Sequence, residues 1–272
     1  MRTIVLISAL LVVTAGLAAP QQTSAADAGI SQVVDRMKSP TWTEREKALD
    51  EAARLLASGK LPAGDADSLR VGLIQLLANE NSEDALTDGA SEQESEEQSE
   101  YYARLIGTVA GLRDERAIPA LLGAAPTGAM AIQGVARFGK KALDGVLGQV
   151  KSHDSELASA AVTVLANMLE FRTVSDPDSH LRIKNALRSA LASPDSGLRD
   201  SAVFAVEFLD DREEFVPMLK ELAEHDPSKL EGQPLYDGTI GDFYYVRTHA
   251  KRALRSIANH EPPAVDKRGL QY

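Results

Sequence analysis

Apolar residues recur along this chain at three- and four-residue intervals, and strict alternation of apolar and polar positions is nearly absent. Leu69, Leu73, Leu76 and Leu77 make one such stripe, and Leu157, Ala161, Val164, Leu165 and Met168 make another. Breakers fall at Pro40, Gly59 to Pro62, Gly89, Pro126, Gly139, Asp176-Pro177, Pro194, Pro227 and Pro262-Pro263. They cut the pattern into helices of roughly 11 to 20 residues. These are too short and too numerous for a simple four-helix bundle, so the pattern predicts an all-α chain of many short helices.

The helices repeat one another. Arg199, Ala202, Ala205, Val206 and Leu209 have the same offsets as Arg247, Ala250, Ala253, Leu254 and Ile257. Small residues thereby share one helix face with larger apolar neighbours, which lets another helix approach closely. The same frame fits Arg45, Ala48, Ala52 and Leu55, with Glu51 in one small slot, and also Gly128, Ala131, Gly134, Val135 and Phe138. It fits Ala158, Ala161, Val164, Leu165 and Met168, and more weakly Tyr102, Leu105, Thr108, Val109 and Leu112. Two of these segments run into an acid and then a proline-started helix: Asp114 before Ile118-Pro119, and Asp210-Asp211 before Val216-Pro217. Each frame helix is therefore expected to be followed by a tight turn and a second helix.

On these residues the chain resembles the HEAT-like (armadillo-type) helical repeat family, particularly the short HEAT-like repeats of phycobilin lyases. The resemblance covers roughly residues 28–259 and is strongest at 194–219 and 242–257. It implies a right-handed α-solenoid of about six irregular helix pairs, with the frame helices on the concave side and the first and last helices as caps. It also implies that Arg199 and Arg247, at the first frame position, hold neighbouring repeats together. The starts at 45, 102, 128, 158, 199 and 247 are unevenly spaced, so the array carries insertions.

The N-terminus reads as an export signal. Arg2 is followed by an apolar run from Ile4 to Ala19, broken only by Ser8, Thr14 and Gly16, and then by the small triplet Ser24-Ala25-Ala26. The run falls short of the roughly 20 residues of a bilayer-spanning helix. Residues 1–26 are expected to be cleaved, leaving 27–260 as the solenoid and 261–272 as a flexible tail, in the periplasm or outside the cell. Zero cysteine excludes disulfides, thiolate metal sites and a cysteine nucleophile. The net charge of −11 argues against nucleic acid or an acidic membrane surface as partner.

Much of that charge is local. Between Asn79 and Glu100 stand Glu80, Glu83, Asp84, Asp88, Glu92, Glu94, Glu96, Glu97 and Glu100 with no base among them. This insertion (79–100) is expected to be a solvated loop running into a polar helix start. A second insertion, 226–242, reads as a long loop, and long connections in compact domains are often functional. It carries Tyr236 and runs into Phe243, Tyr244 and Tyr245, after which Arg247, Lys251 and Arg255 form a basic stripe with Arg252 beside it. Aromatics next to arginines suit a partner-binding surface, so these seven residues are the candidate site; a structural end-cap of the core is the alternative.

Catalytic patterns are scarce. Gly134 to Lys140 satisfies the first part of a phosphate-binding loop, but Lys141 stands where a Ser or Thr is required and no strand precedes it. His153, His180, His225, His249 and His260 are scattered, without the pairing a metal or general base would need. No cofactor and no metal are expected. The sequence thus points to an exported, non-catalytic scaffold or adaptor for a protein or peptide. The alternative is a small-ligand-binding or lyase-type protein that uses the groove of the solenoid.

Overall fold

The computed structural model describes residues 25–81, 91–234, 239–259 and 261. Residues 1–24 of the expected export signal, Tyr236, residues 82–90 of the acidic insertion and the tail 262–272 lie outside the described residues, while Ala25 and Ala26 open α1. The described chain forms helices α1 (Ala25–Arg36), α2 (Trp42–Ala57), α3 (Ala63–Glu80), α4 (Glu92–Gly111), α5 (Ile118–Ala124) and α6 (Ala129–Ala136). They are followed by α7 (Lys140–Gln149), α8 (Ser155–Glu170), α9 (Pro177–Leu191), α10 (Ser196–Val206), α11 (Val216–His225) and α12 (Tyr245–Ala258). Strands β1 (Leu230–Pro234) and β2 (Ile240–Phe243) stand between α11 and α12.

The six frame segments are the six even-numbered helices. Each even helix packs on the next, α2 to α4 to α6 to α8 to α10 to α12, and the odd helices α1, α3, α5, α7 and α9 form a second row behind them. The chain is an all-α solenoid in two layers. One apolar core runs through it, from Ile30 and Val33 to Ala250, Ala253 and Ile257. Small frame residues sit where the even helices meet: Ala48, Ala52, Ala131, Ala161, Ala202, Ala205 and Ala250 have no exposed surface. Gly134 is the tightest case, because a Cβ there would stand 2.9 Å from the Cβ of Ala110 on α4.

Caps place the helix starts. Asp154, Asp176 and Asp195 accept backbone N–H bonds at the starts of α8, α9 and α10, and Ser91 with Glu94 forms a reciprocal capping box at α4. Pro119 and Pro217 occupy the first turns of α5 and α11. Helices α5, α6 and α7 are shorter than the breaker spacing predicts, at 7, 8 and 10 residues. The turns at Ala125–Thr127 and Gly139 stand at the breakers Pro126 and Gly139, and a further turn at Arg113 and Asp114 shortens α5. Exposed ion pairs bridge successive helices of a layer, among them Arg116–Asp67 at 2.6 Å, Arg182–Asp144 at 2.5 Å and Arg252–Glu207 at 2.9 Å. Each contributes little by itself.

One expectation is corrected. The insertion 226–242 contains regular structure: β1 and β2 form an antiparallel ribbon that pairs Leu230 with Phe243 and Pro234 with Ile240. A bulge between Leu230 and Gln233 accommodates Gly232 at φ +65°. Alternation is too short here, and the strands too rich in Gly and Pro, for the pattern to show.

Candidate functional site

Two of the connections that lead from an odd helix into the next even helix, α5 to α6 and α7 to α8, open on a groove of about 840 Å³. It crosses the N-terminal ends of α2, α6 and α8, the middle of α4, and the C-terminal ends of α3, α5 and α7. Trp42, Tyr101 and Tyr102 form one side, and Ile106, Met130 and Leu157 continue the apolar floor. Met130 is 49% exposed, which is unusual for a methionine in a helix whose other face is buried.

The aromatic side is held by a polar network beneath it. The Arg45 guanidinium donates to the Glu80 carboxylate and, at 2.9 Å each, to the carbonyls of Ser39 and Pro40. The Tyr101 hydroxyl donates to Glu80 at 2.9 Å, and burial followed by the Glu80 charge pushes its pKa up, so it stays protonated. The rings of Trp42 and Tyr101 lie tilted, 6.1 Å between centroids. Tyr102 donates to Asn81, whose amide in turn donates 2.7 Å to the carbonyl of Ala120. These bonds fix the groove wall across α2, α3, α4 and α5.

The same device recurs at the other end. Arg199 donates to the carbonyls of Ser193 and Pro194 at 2.8 and 2.9 Å and to Asp226 at 2.6 Å. Ser39-Pro40 and Ser193-Pro194 stand at equal spacing before Arg45 and Arg199. Each arginine thus seals the loop before its helix and reaches an acid at the end of the following helix. Arg199 ties α10 to the end of α11, within one helix pair rather than between neighbouring repeats.

The surface singled out by the sequence lies around Asp226. Arg247 donates through Nε to the Asp226 carbonyl oxygen at 2.5 Å, and its guanidinium sits 4.3 Å from the centre of the Tyr244 ring. Phe243 ends β2, Tyr245 opens α12, and both are half-buried. Lys251 and Arg255 are exposed, whereas Arg252 pairs with Glu207 at 2.9 Å. The structure therefore brings Tyr244 and Arg247 together, and Lys251 and Arg255 point to solvent one and two turns further along. Ile240 on the ribbon is 77% exposed.

The phosphate-loop look-alike is structural. Gly134 admits α4, and Gly139 turns the chain at φ +54°, where a Cβ would press on the Thr173 carbonyl oxygen. Lys141 pairs with Glu115 at 2.5 Å and Lys140 with Asp176 at 3.4 Å. Among the described residues, no group of three or more His, Asp or Glu side chains is arranged to hold a metal ion, and no helix is long and apolar enough to cross a membrane.

Sequence reasoning missed the groove, because its lining comes from residues scattered between Trp42 and Leu157. The one local signal was the neighbouring pair Tyr101-Tyr102 at the end of the acidic run.

The sequence matches no protein-family profile, and comparison with curated proteins finds no match. Among solved structures, one described as the structural basis of microtubule plus-end tracking by XMAP215, CLIP-170 and EB1 is 14% identical. The alignment covers 86% of this chain and 91% of that one, with a TM-score of 0.50. A designed armadillo repeat protein in complex with the peptide (KR)4 is 18% identical over 84% of this chain and 98% of its own, with a TM-score of 0.40. A computationally designed armadillo repeat protein for modular peptide recognition is 16% identical over 84% and 99%, with a TM-score of 0.37. At such identities the likeness concerns the fold alone, and by its fold this chain is an α-solenoid of the HEAT/armadillo repeat type.

Proposed function

We propose that this chain is an exported, non-catalytic scaffold that holds a protein or peptide partner in the groove lined by α2, α4, α6 and α8. The observation that carries the reading is the groove itself: open, floored by aromatic and apolar side chains, rimmed by amides and hydroxyls, and braced by the Arg45–Glu80–Tyr101 network. A rigid, preorganised surface of this kind binds without the ordering cost a mobile one incurs. Export rests on Arg2, the apolar run Ile4 to Ala19 and the small residues that follow, and it places the mature protein in the periplasm or outside the cell.

The test uses residues 27–272 as bait in a crosslinking pull-down from the native cell envelope, beside the Met130→Glu variant. A protein captured by the native chain and lost with the variant supports the reading. Equal capture by both moves the partner to another surface, with Tyr244 and Arg247 as the next residues to change. A small molecule carried through native purification, with no protein partner, overturns the scaffold reading.

A further inference from the structure

The groove has a charge pattern that selects its occupant. Among the described residues the one base in its lining is Arg45, and that guanidinium is committed to Glu80 and to two backbone carbonyls. On one side α4 continues beyond Tyr101 as two exposed turns that rise past the groove edge. Glu96 and Glu92 precede the lining residue Ser99 by three and seven positions, which sets both on the groove side of α4. Arg104, by contrast, pairs with Glu46 and, at 3.0 Å, with Asp50 on α2, so the compensating base of α4 faces away. On the other side Glu156 lines the groove from the first turn of α8 and is exposed. Between these acids lies the apolar floor, with Met130 at its centre.

Resting on the groove as a partner site, we propose that its occupant is a cationic segment of a protein chain, with apolar residues over Met130 flanked on both sides by Lys or Arg. Acids on α4 and α8 flank a floor that has no free cation among the described residues. A basic–apolar–basic segment therefore matches it, and an acidic segment would bring like charges together in an apolar setting. Glu92, Glu96 and Glu156 steer and orient the segment, and the floor supplies the buried area. The surplus of acids near α4 then has a use that the overall charge of −11 does not reveal.

The test is fluorescence anisotropy of the full mature chain with labelled synthetic peptides of sequence KKLFLKK and EELFLEE. The cationic peptide is expected to bind saturably, more weakly as salt rises, and at least tenfold tighter than the acidic one. Replacing Glu92, Glu96 and Glu156 together by Gln should weaken it about tenfold. A control removing three charges elsewhere (Glu213→Gln, Glu221→Gln, Glu224→Gln) should leave it within twofold. All six positions are exposed, so folding is not at stake. Equal loss in both triple variants, or equal binding of the two peptides, overturns the cationic occupant. If Met130→Glu still removes that binding, the groove remains the partner site. Failure of KKLFLKK to bind overturns the cationic occupant as well, while the Met130→Glu pull-down from the envelope decides the groove independently.

Discussion

Removing the Arg199 side chain tests how the end of the solenoid is held. Arg199 and Asp226 make two charge-assisted bonds, at 2.6 and 3.2 Å, and their side chains are 9% and 1% exposed. In Arg199→Ala the Asp226 carboxylate stays buried with only the amide of Ser228, 2.9 Å away, and its hydroxyl as donors. A buried charge stripped of its partner costs about 3–5 kcal/mol. For a protein of this size that corresponds to roughly 10 °C in melting temperature. Replacing both residues by Leu should cost much less than the sum of the single changes, since no charge is then left buried.

The pH dependence gives a second reading. Burial pushes the Asp226 carboxyl up, but bonds from Arg199 and then from the Ser228 amide and hydroxyl outweigh it and hold it below the ordinary carboxylate range. A carboxyl held low stabilises the fold above the unfolded value of about 4, and that contribution is lost as pH falls through the folded value. Without Arg199, burial dominates and Asp226 takes up a proton more readily, so the deficit of the variant should narrow between about pH 7 and pH 4. Urea titration at several pH values measures both, and hydrogen exchange should place the loosening in α10, α11 and α12. A cost below about 1 kcal/mol at pH 7, or a deficit that does not change with pH, refutes the reasoning.

Gly139→Ala should destabilise by roughly 2–4 kcal/mol in thermal unfolding, from the φ of +54° and the Thr173 carbonyl in its path; a neutral result would remove the structural account of that glycine. Ser91→Ala removes the capping box of α4 and should speed hydrogen exchange over residues 92–96, at a cost of about 1 kcal/mol to that helix end. Because those turns are exposed, the global melting point should stay within about 2 °C. N-terminal sequencing of the envelope fraction should find a chain starting near Asp27, and recovery of Arg2 in the exported protein would refute cleavage there.

The fold was readable where it rested on local pattern. All six frame segments proved to be the even-numbered helices, because close helix approach needs small residues at fixed offsets and no other packing surface demands them. Arg199 was given a structural role from its frame position; it ties α10 to Asp226 at the end of its own helix pair, and Arg247 reaches the same residue from α12. The preceding Ser-Pro, shared with Arg45, stood in the sequence as a further signal that helical periodicity does not register. Tyr244 and Arg247 were singled out together and do touch, since they lie one turn apart at the start of α12. The ribbon between α11 and α12 escaped because a four- or five-residue strand with Gly and Pro has almost no alternation to detect.

What the sequence determined by itself is the class of object: many short amphipathic helices with a recurring small-residue face, no cysteine chemistry and an acidic surplus near residue 90. Each of these properties is local, carried by residues within a turn or two of one another or by composition. What only the tertiary structure decided is where the surface is shaped to bind. Trp42, Tyr102, Met130 and Leu157 come from four different helices and share no spacing. They meet because stacking in two layers brings the N-terminal ends of α2, α6 and α8 alongside the middle of α4 at one edge. Stacking also spends Arg45 on Glu80 and leaves Glu92, Glu96 and Glu156 free. Such a meeting depends on the order of packing, which no single helix encodes.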